Sequence, residues 1–543
     1  MIQLNKLLFA SSFLIVALGQ PARVGWLGAL AAVCGFALFF HSLSPHLSSL
    51  RRFGVATLWF AAVQLVQLSW MTAIAFQGYY ILCVYACLCI GIGSQFGLLT
   101  LLVPASGHLS FRTILFCASF WTLMEWIRLF FLCGFSWNPT GLSLTHFTCS
   151  MQCASVFGIF GLTFLVMATN LLCLRAFRCN TLSVNMLQLS TLALLPYCFG
   201  ALHMHFHIPH SAREEKTLNV ALVQTNWLPS QKNPQQGRLE EFIPPMAQWE
   251  QIITALKGSE GAKNWDLIVL PEAAVASTSE RMLYAFDQVE EVFVSTFGPE
   301  IESSFPPGYN SRVSNLFWCH TLASYFNAEC VVGLDHVDRA RGENYNSAFY
   351  FAPGRSSAQH YDKQVLLPLA EYLPFTFLKP LTKSYGISDF FTQGQGAKVW
   401  GQKVPFSTSI CYEETFPEVM REGRRKGAQL FINVTNDNYY PNSTLHEQHL
   451  FHARVRAVEN GVPLIRSCNA GISAAIDSFG RISARQDASL DACSVLSHSL
   501  NPYTYPTLYT LWGDVGILTL CLMGLLLRAN EIFTWFKCFP KLA

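Results

Sequence analysis

Apolar residues along this chain fall into long runs at both ends and into short, interrupted runs in the middle. A helix needs about 20 mostly apolar residues to cross the hydrocarbon core of a bilayer. Runs of that kind lie near 4–20, 24–40, 55–76, 79–103, 113–133, 155–176, 187–206 and 508–528. They predict a multi-span α-helical membrane bundle of about eight spans. The first run is the weakest. Its apolar core, Leu7 to Gly19, is short and follows Lys6, so a signal-peptide core is its alternative. Between 207 and about 507 no span occurs. Charges, Pro and Gly rise there, and strand-like runs alternate with amphipathic stretches. The pattern predicts about seven spans over 1–207, a water-soluble domain over 208–507, and a last span with its tail over 508–543.

Loop charges then orient the chain. Arg51 and Arg52 follow the second span, Arg112 the fourth, Arg175 and Arg178 the sixth; Arg528, Lys537 and Lys541 follow the last. The alternate loops carry only Arg23, with nothing at 77–78 or from Gly134 to Ala154. The positive-inside rule puts both termini in the cytoplasm and the soluble domain on the outer face.

Composition narrows the function. Hydrophobic residues make up 51% and charged residues only 13%, against roughly a quarter charged in soluble chains. A water-facing globule and a disordered chain are excluded. A net charge of +2 leaves no basic field for nucleic acid. Of 18 Cys, only Cys319, Cys330, Cys411, Cys468 and Cys493 lie in the soluble domain. That odd number leaves at least one unpaired, and no CxxC among them signals zinc or redox chemistry.

Three stretches of the soluble domain share one design, a β-like run leading to a reactive residue. Leu267–Pro271 ends at Glu272, Phe349–Phe351 leads through a turn to Lys363, and Phe406–Ile410 ends at Cys411 before a helix-like start at Phe416–Val419. Sites in α/β sheets assemble at strand ends, and a Cys before a helix start feels amide dipoles that favour thiolate. Together the three residue types suit acyl transfer. A Glu takes the thiol proton, a Lys holds the oxyanion, and the thiolate attacks. Each alone is more often core packing or a solvated charge.

Resemblance adds what spacing leaves open. Leu-Pro-Glu-Ala (270–273), Tyr-Asp-Lys-Gln-Val-Leu-Leu-Pro-Leu-Ala-Glu-Tyr-Leu-Pro (361–374) and Ile-Cys-Tyr-Glu (410–413) resemble the nitrilase superfamily, and within it the membrane-embedded apolipoprotein N-acyltransferase branch. Val220–Gln224, Asn436-Asp437, the Arg454, Ala457, Glu459 and Asn460 set, and the Arg466, Asn469 and Gly471–Ser473 set are similar as well. So are Glu125-Trp126 with Arg128, Gly134–Trp137, and Gly513-Asp514. The resemblance implies an extracytoplasmic α-β-β-α sandwich. It implies Cys411 as nucleophile, Glu272 as general base and Lys363 as oxyanion stabiliser. Glu371 is implied as a supporting carboxylate, Glu413 as support behind the nucleophile, and Tyr412 as a gate or wall; the last two have a purely structural alternative. The implied reaction moves an acyl chain from a phospholipid through a Cys thioester to the α-amine of a diacylglyceryl lipoprotein, on the periplasmic face of a bacterial inner membrane, with no metal or diffusible cofactor. The chain departs from the branch at Asn438-Tyr439-Tyr440-Pro441, at Asn233 and at Ser136, positions that bear on lipid or peptide preference. A membrane-anchored amidase, and a transporter or sensor with a vestigial site, are the alternatives.

Four further features carry expectations. His446, Glu447, His449 and His452 lack the His spacing of a zincin, which favours a helix-face or hydrogen-bonding role. Glu125 and Arg128 share a helix face and can pair, as a functional or a structural couple. The run Arg421, Arg424, Arg425 and Lys426 reads as a solvated helix end. Two aromatic-rich stretches, 275–316 and 372–386, read as mobile arms that dip into the membrane interface, with core packing as the alternative.

Overall fold

The computed structural model describes residues 5–19, 23–178, 182–207, 217–235, 237–259, 264–355, 357–384, 390–488 and 493–528. Lys537 and Lys541 of the charge pattern lie outside them. The chain divides into two compact units. One comprises Met1–Ile74, Tyr79–Pro209 and Pro506–Ala543, the other Ala75–Gly78 and His210–Tyr505.

The first unit is helical. Its long elements are α1 (Lys6–Gly19), α2 (Gly25–Ser42), α3 (Ser49–Gln67), α4 (Tyr80–Leu102), α5 (Phe111–Ile127), α6 (Ala154–Arg178) and α7 (Leu182–His207). A further apolar helix covers Val515–Leu526. Among the described residues five helices are long and apolar enough to cross a membrane: α2, α4, α5 continued to Phe130, α6 and most of α7. Lys6–Gly19 and Val515–Leu526 are shorter, and α3 carries Arg51, Arg52, Gln64 and Gln67. Inside α2 one turn is π-helical, Ala31–Gly35. Its cause is Asn170 of α6, whose amide donates to the Ala31 and Ala32 carbonyls and accepts from Phe36 and Ala37. A side chain inserted in the ladder opens the helix by one residue.

Glu125 and Arg128 do not pair with each other. The Glu125 carboxylate accepts from the Thr140 amide at 2.9 Å and from the Thr140 and Thr163 hydroxyls, both at 2.6 Å. Arg128 donates to Gln95 at 2.6 Å and lies over the Trp121 ring. The helix ends between them, so Arg128 opens a 3₁₀ turn and points elsewhere.

The second unit is a four-layer sandwich. The strands of its two main sheets are β1 (Leu218–Gln224), β2 (Leu267–Leu270), β3 (Glu329–Asp338), β4 (Glu343–Phe351), β5 (Gln359–Asp362), β6 (Val399–Trp400), β7 (Phe406–Ile410), β8 (Leu430–Thr435), β9 (Leu464–Cys468), β10 (Ser473–Ile476), β11 (Ile482–Gln486) and β12 (Ser494–Leu500). They form two six-stranded sheets in the orders β12-β1-β2-β3-β4-β5 and β11-β10-β9-β8-β7-β6. Centres are parallel, with Ile268 opposite Cys330 and Ile432 opposite Thr408 and Ile465. Outer strands are antiparallel.

Side-chain alternation assigns the layers. Val220, Leu222, Leu267 and Val269 of one sheet meet Phe406, Ile410, Ile432, Val434 and Ile465 of the other. Ala221, Val223, Ile268 and Leu270 turn the other way, onto α8 (Pro245–Ser259), α9 (Phe286–Phe297) and α10 (Asn315–Tyr325). The outer face of the second sheet is covered by α11 (Pro417–Arg425) and α12 (Leu445–Asn460). Strands buried on both faces read as continuous apolar runs, which is why Leu267–Leu270 shows no polar alternation.

The two aromatic stretches part company here. Phe286, Phe293 and Phe297 lie on one face of α9 and are buried in the core, with Phe305 packed against them. The first stretch is therefore core packing and not an arm. In the second, Phe375 and Phe377 are 48% and 75% exposed and stack on each other; residues 385 and 386 lie outside the described ones. The basic run also divides, since Arg421 is buried and ion-paired with Glu418.

Candidate active site

Each predicted residue sits just past a strand. Glu272 follows β2, Lys363 follows β5, and Cys411 follows β7. β2 and β5 belong to one sheet and β7 to the other, so the residues meet across the sandwich. Two backbone features aim them. Gly333 of β3 lets the chain at Glu272 approach: a Cβ there would lie 2.5 Å from the Pro271 carbonyl oxygen and 2.6 Å from the Glu272 Cα. Cys411 has φ of 52°, a left-handed conformation that costs a non-glycine residue of order 1–3 kcal/mol and persists only where its surroundings hold it.

Those surroundings centre on Glu413, which is fully buried. Its carboxylate accepts from the Ile410 amide at 2.7 Å, before the cysteine. It also accepts from the Gln364 and Val365 amides at 2.5 and 3.1 Å, after the lysine, and from the Tyr361 hydroxyl at 3.0 Å. One side chain thus clamps the Cys411 turn to the Lys363 loop. Asn433 adds a bond to the Cys411 carbonyl at 3.2 Å. Tyr412 is buried edge-on against Phe416 at 5.0 Å.

Lys363 is 1% exposed, and its ammonium donates to Glu272 Oε1 at 3.1 Å and Glu371 Oε1 at 2.7 Å. Glu371 is held in turn by the Leu367 amide at 2.8 Å. Burial alone would pull the Lys363 pKa down. The charges of Glu272, Glu371 and Cys411 outweigh it and push the value well above the ordinary one. Lys363 therefore stays cationic. At Cys411 burial pushes the thiol pKa up, Glu272 adds to the rise, Lys363 opposes it and Asp437 adds again. The resting sulfur is a thiol beside a carboxylate and an ammonium.

Two contributors escaped sequence reasoning. Asn346 of β4 donates to both carboxylates, Glu272 at 2.7 Å and Glu371 at 3.1 Å. Lys232 is buried and donates to the Glu272 carbonyl at 2.9 Å. The only signal for Asn346 was an Asn just before the apolar end of a strand, Ala348–Phe351, a residue type depleted from strands. His446, His449 and His452 are buried on α12. Among the described residues no cluster of three or more His, Cys, Asp and Glu is arranged to hold a metal ion.

A six-stranded sheet pair with helical faces and a Glu–Lys–Cys cluster at its strand ends defines a class, and sequence comparison agrees. The carbon-nitrogen hydrolase family model matches residues 219–499, and the apolipoprotein N-acyltransferase N-terminal domain model matches residues 11–172. The chain belongs to the carbon-nitrogen hydrolase family, in the branch that carries this second domain. It is similar to the apolipoprotein N-acyltransferase of Chlamydia caviae, 29% identical with 95% of this chain and 96% of that one covered. It is similar also to that of Haemophilus influenzae, 26% identical with 78% and 76% covered. A crystal structure of a carbon-nitrogen hydrolase from Helicobacter pylori overlays with a TM-score of 0.37 at 16% identity, over 56% of this chain and 96% of that one.

Proposed function

We propose that this chain is a phospholipid:apolipoprotein N-acyltransferase working through Cys411. Glu272 takes the thiol proton and the sulfur attacks a phospholipid acyl ester, at sn-1 of phosphatidylethanolamine as the resemblance implies. Lys363 meets the oxyanion of the tetrahedral intermediate. Collapse breaks the C–O bond, the lysophospholipid alkoxide takes the proton back from Glu272, and a thioester remains. The α-amine of a diacylglyceryl-cysteine then attacks the thioester and gives up its proton to Glu272. The C–S bond breaks and an N-acylated lipoprotein leaves, in a ping-pong sequence. Glu371 keeps Lys363 in place between steps. The reading includes a membrane bundle of about eight spans and a catalytic domain on the outer face. No metal enters the scheme.

The observation that carries this proposal is the Glu413 clamp, which joins the Cys411 turn to the Lys363 loop, with Lys363 resting on Glu272. Mass spectrometry of a lipoprotein N-terminus checks the overall reaction. The wild-type chain with phospholipid is expected to add one acyl group to the amine. Cys411→Ala is expected to lower transfer by about 10⁴-fold or more, and Lys363→Ala by about 10²–10³-fold, as for loss of an oxyanion donor. A labelled acyl-enzyme surviving in Cys411→Ala would overturn the nucleophile assignment. Free fatty acid released in place of acylated amine would overturn the transferase assignment.

A further inference from the structure

The two carboxylates beside Lys363 are held unequally. Two donors, the Lys363 ammonium and the Asn346 side-chain amide, each reach both of them. Lys363 Nζ is 3.1 Å from Glu272 Oε1 and 2.7 Å from Glu371 Oε1. Asn346 Nδ2 is 2.7 Å from Glu272 Oε1 and 3.1 Å from Glu371 Oε1. The other oxygen of Glu371 accepts from the Leu367 amide at 2.8 Å. The other oxygen of Glu272, Oε2, accepts from no group among the described residues. Glu371 is thus fixed at both oxygens and Glu272 at one.

Only one orientation of the Asn346 amide fits this arrangement. Turned over, it would set its oxygen against two carboxylate oxygens. As it stands, its Oδ1 is buried with no hydrogen-bond partner among the described residues. Leaving a buried acceptor unpaired costs free energy, which the two bonds at the other end of the amide offset. Asn346 is 5% exposed, and its own carbonyl accepts from the Lys363 amide at 2.8 Å. The strand therefore fixes Asn346 and the Lys363 loop to one another. Without the Asn346 amide a single donor would remain for Glu272. The carboxylate could then rotate and offer both oxygens to the ammonium, which has three hydrogens to give, and Oε2 would be lost as a base.

We propose that Asn346 is a positioning residue: with Lys363 it occupies Oε1 of Glu272 and so reserves Oε2 as the atom that takes the Cys411 proton. This deepens the assignment of Glu272 as base and rests on it. Other groups act at the same residue. Lys232 meets its main-chain carbonyl, and Asp335, Cys411 and Tyr439 feel its charge. Asp335 lies on β3 directly opposite Asn346.

The test uses p-nitrophenyl acetate and the full chain in detergent. The Cys411 sulfur takes the acetyl group and p-nitrophenolate leaves. The initial rate is followed as acetylated Cys411 peptide by mass spectrometry from about pH 4 to pH 8, where protonation of the base gives the profile an acid limb. Asn346→Leu is similar in shape, keeps the main-chain bond and removes both donor bonds. A carboxylate that loses a donor holds its proton more tightly. The limb is expected to move up by about one pH unit, with a plateau about tenfold lower. Asn346→Asp sets a third carboxyl against the other two and is expected to move the limb the same way. Damage to packing would lower the plateau and leave the limb in place. A limb that stays or moves down overturns the proposal, and so does inactivity of both variants at every pH. Absence of the acetyl group from wild-type Cys411 would overturn the nucleophile assignment and this proposal with it. Acetylation of the wild type with an unmoved limb in the variants would overturn the role of Asn346 alone. The ester needs no lipid or lipoprotein, so failure of the acyltransferase assignment would appear in the lipoprotein mass spectrum and leave this measurement unchanged.

Discussion

Buried charge at the site is tolerable only where opposite charge or a carbonyl meets it. Lys363 has two carboxylates, and its high pKa follows. Lys232 has a carbonyl oxygen and more distant charges, and its balance tips the other way. Burial pulls its pKa from 10.5 down to about 8, with Glu272, Asp335 and Cys468 opposing. The folded protein therefore binds fewer protons at Lys232 than the unfolded chain between about pH 8 and 10.5, and stability rises with pH across that window. Lys232→Met removes the titration. The wild type is expected to gain about 2 kcal/mol on the variant between pH 8 and pH 10, measured as unfolding free energy in detergent. A difference that stays flat with pH would mean that Lys232 keeps its proton in the folded protein across this range, as in the unfolded chain. Glu272, Lys363 and Cys411 stood out in the sequence because each follows a β-like run, wholly apolar only before Glu272, and because the motifs around them resemble those of the nitrilase superfamily. Lys232 and Asn346 did not, because polar residues in a short helix and a strand gain their meaning only from what folds over them.

At the level of elements, one cue had two outcomes. Phe286, Phe293 and Phe297 are spaced by seven and four, so a helix gathers them on one side. In α9 that side is the core face. Phe375 and Phe377 are spaced by two at a short 3₁₀ turn, Thr376–Leu378, which has no inward face to hide both rings. Aromatic content alone did not distinguish the cases; the helical period did. Phe293→Ala is expected to cost about 3–5 kcal/mol, as for a large ring removed from a packed core. The pair Phe375→Ser and Phe377→Ser is expected to change stability by less than about 0.5 kcal/mol each while lowering acyl transfer from vesicle phospholipid. Unfolding free energies and transfer rates from vesicles test both statements. Unchanged transfer in the double variant would remove the membrane-contact role of this turn.

For the whole molecule, the helical unit and the sandwich were separable in the sequence because their apolar patterns differ in kind, long runs against short ones. The number of crossings is less determined, since among the described residues five helices meet the length and apolarity of a span and the remaining candidates are shorter or more polar. Under the alternation of crossings that the sequence predicts, charge asymmetry between alternate loops supports the proposed outer-face position of the sandwich. The chemistry needs the same side, because a diacylglyceryl-cysteine acceptor and its lipid donor must both reach Cys411. Arg341 offers a probe, in the turn between β3 and β4 with its side chain 70% exposed. In cells with a permeabilised outer membrane, Arg341→Cys is expected to react with a membrane-impermeant maleimide before lysis, above the background of the parent chain. Labelling only after the inner membrane is breached would place the sandwich in the cytoplasm. It would separate Cys411 from its acceptor and remove the acyltransferase assignment together with the orientation.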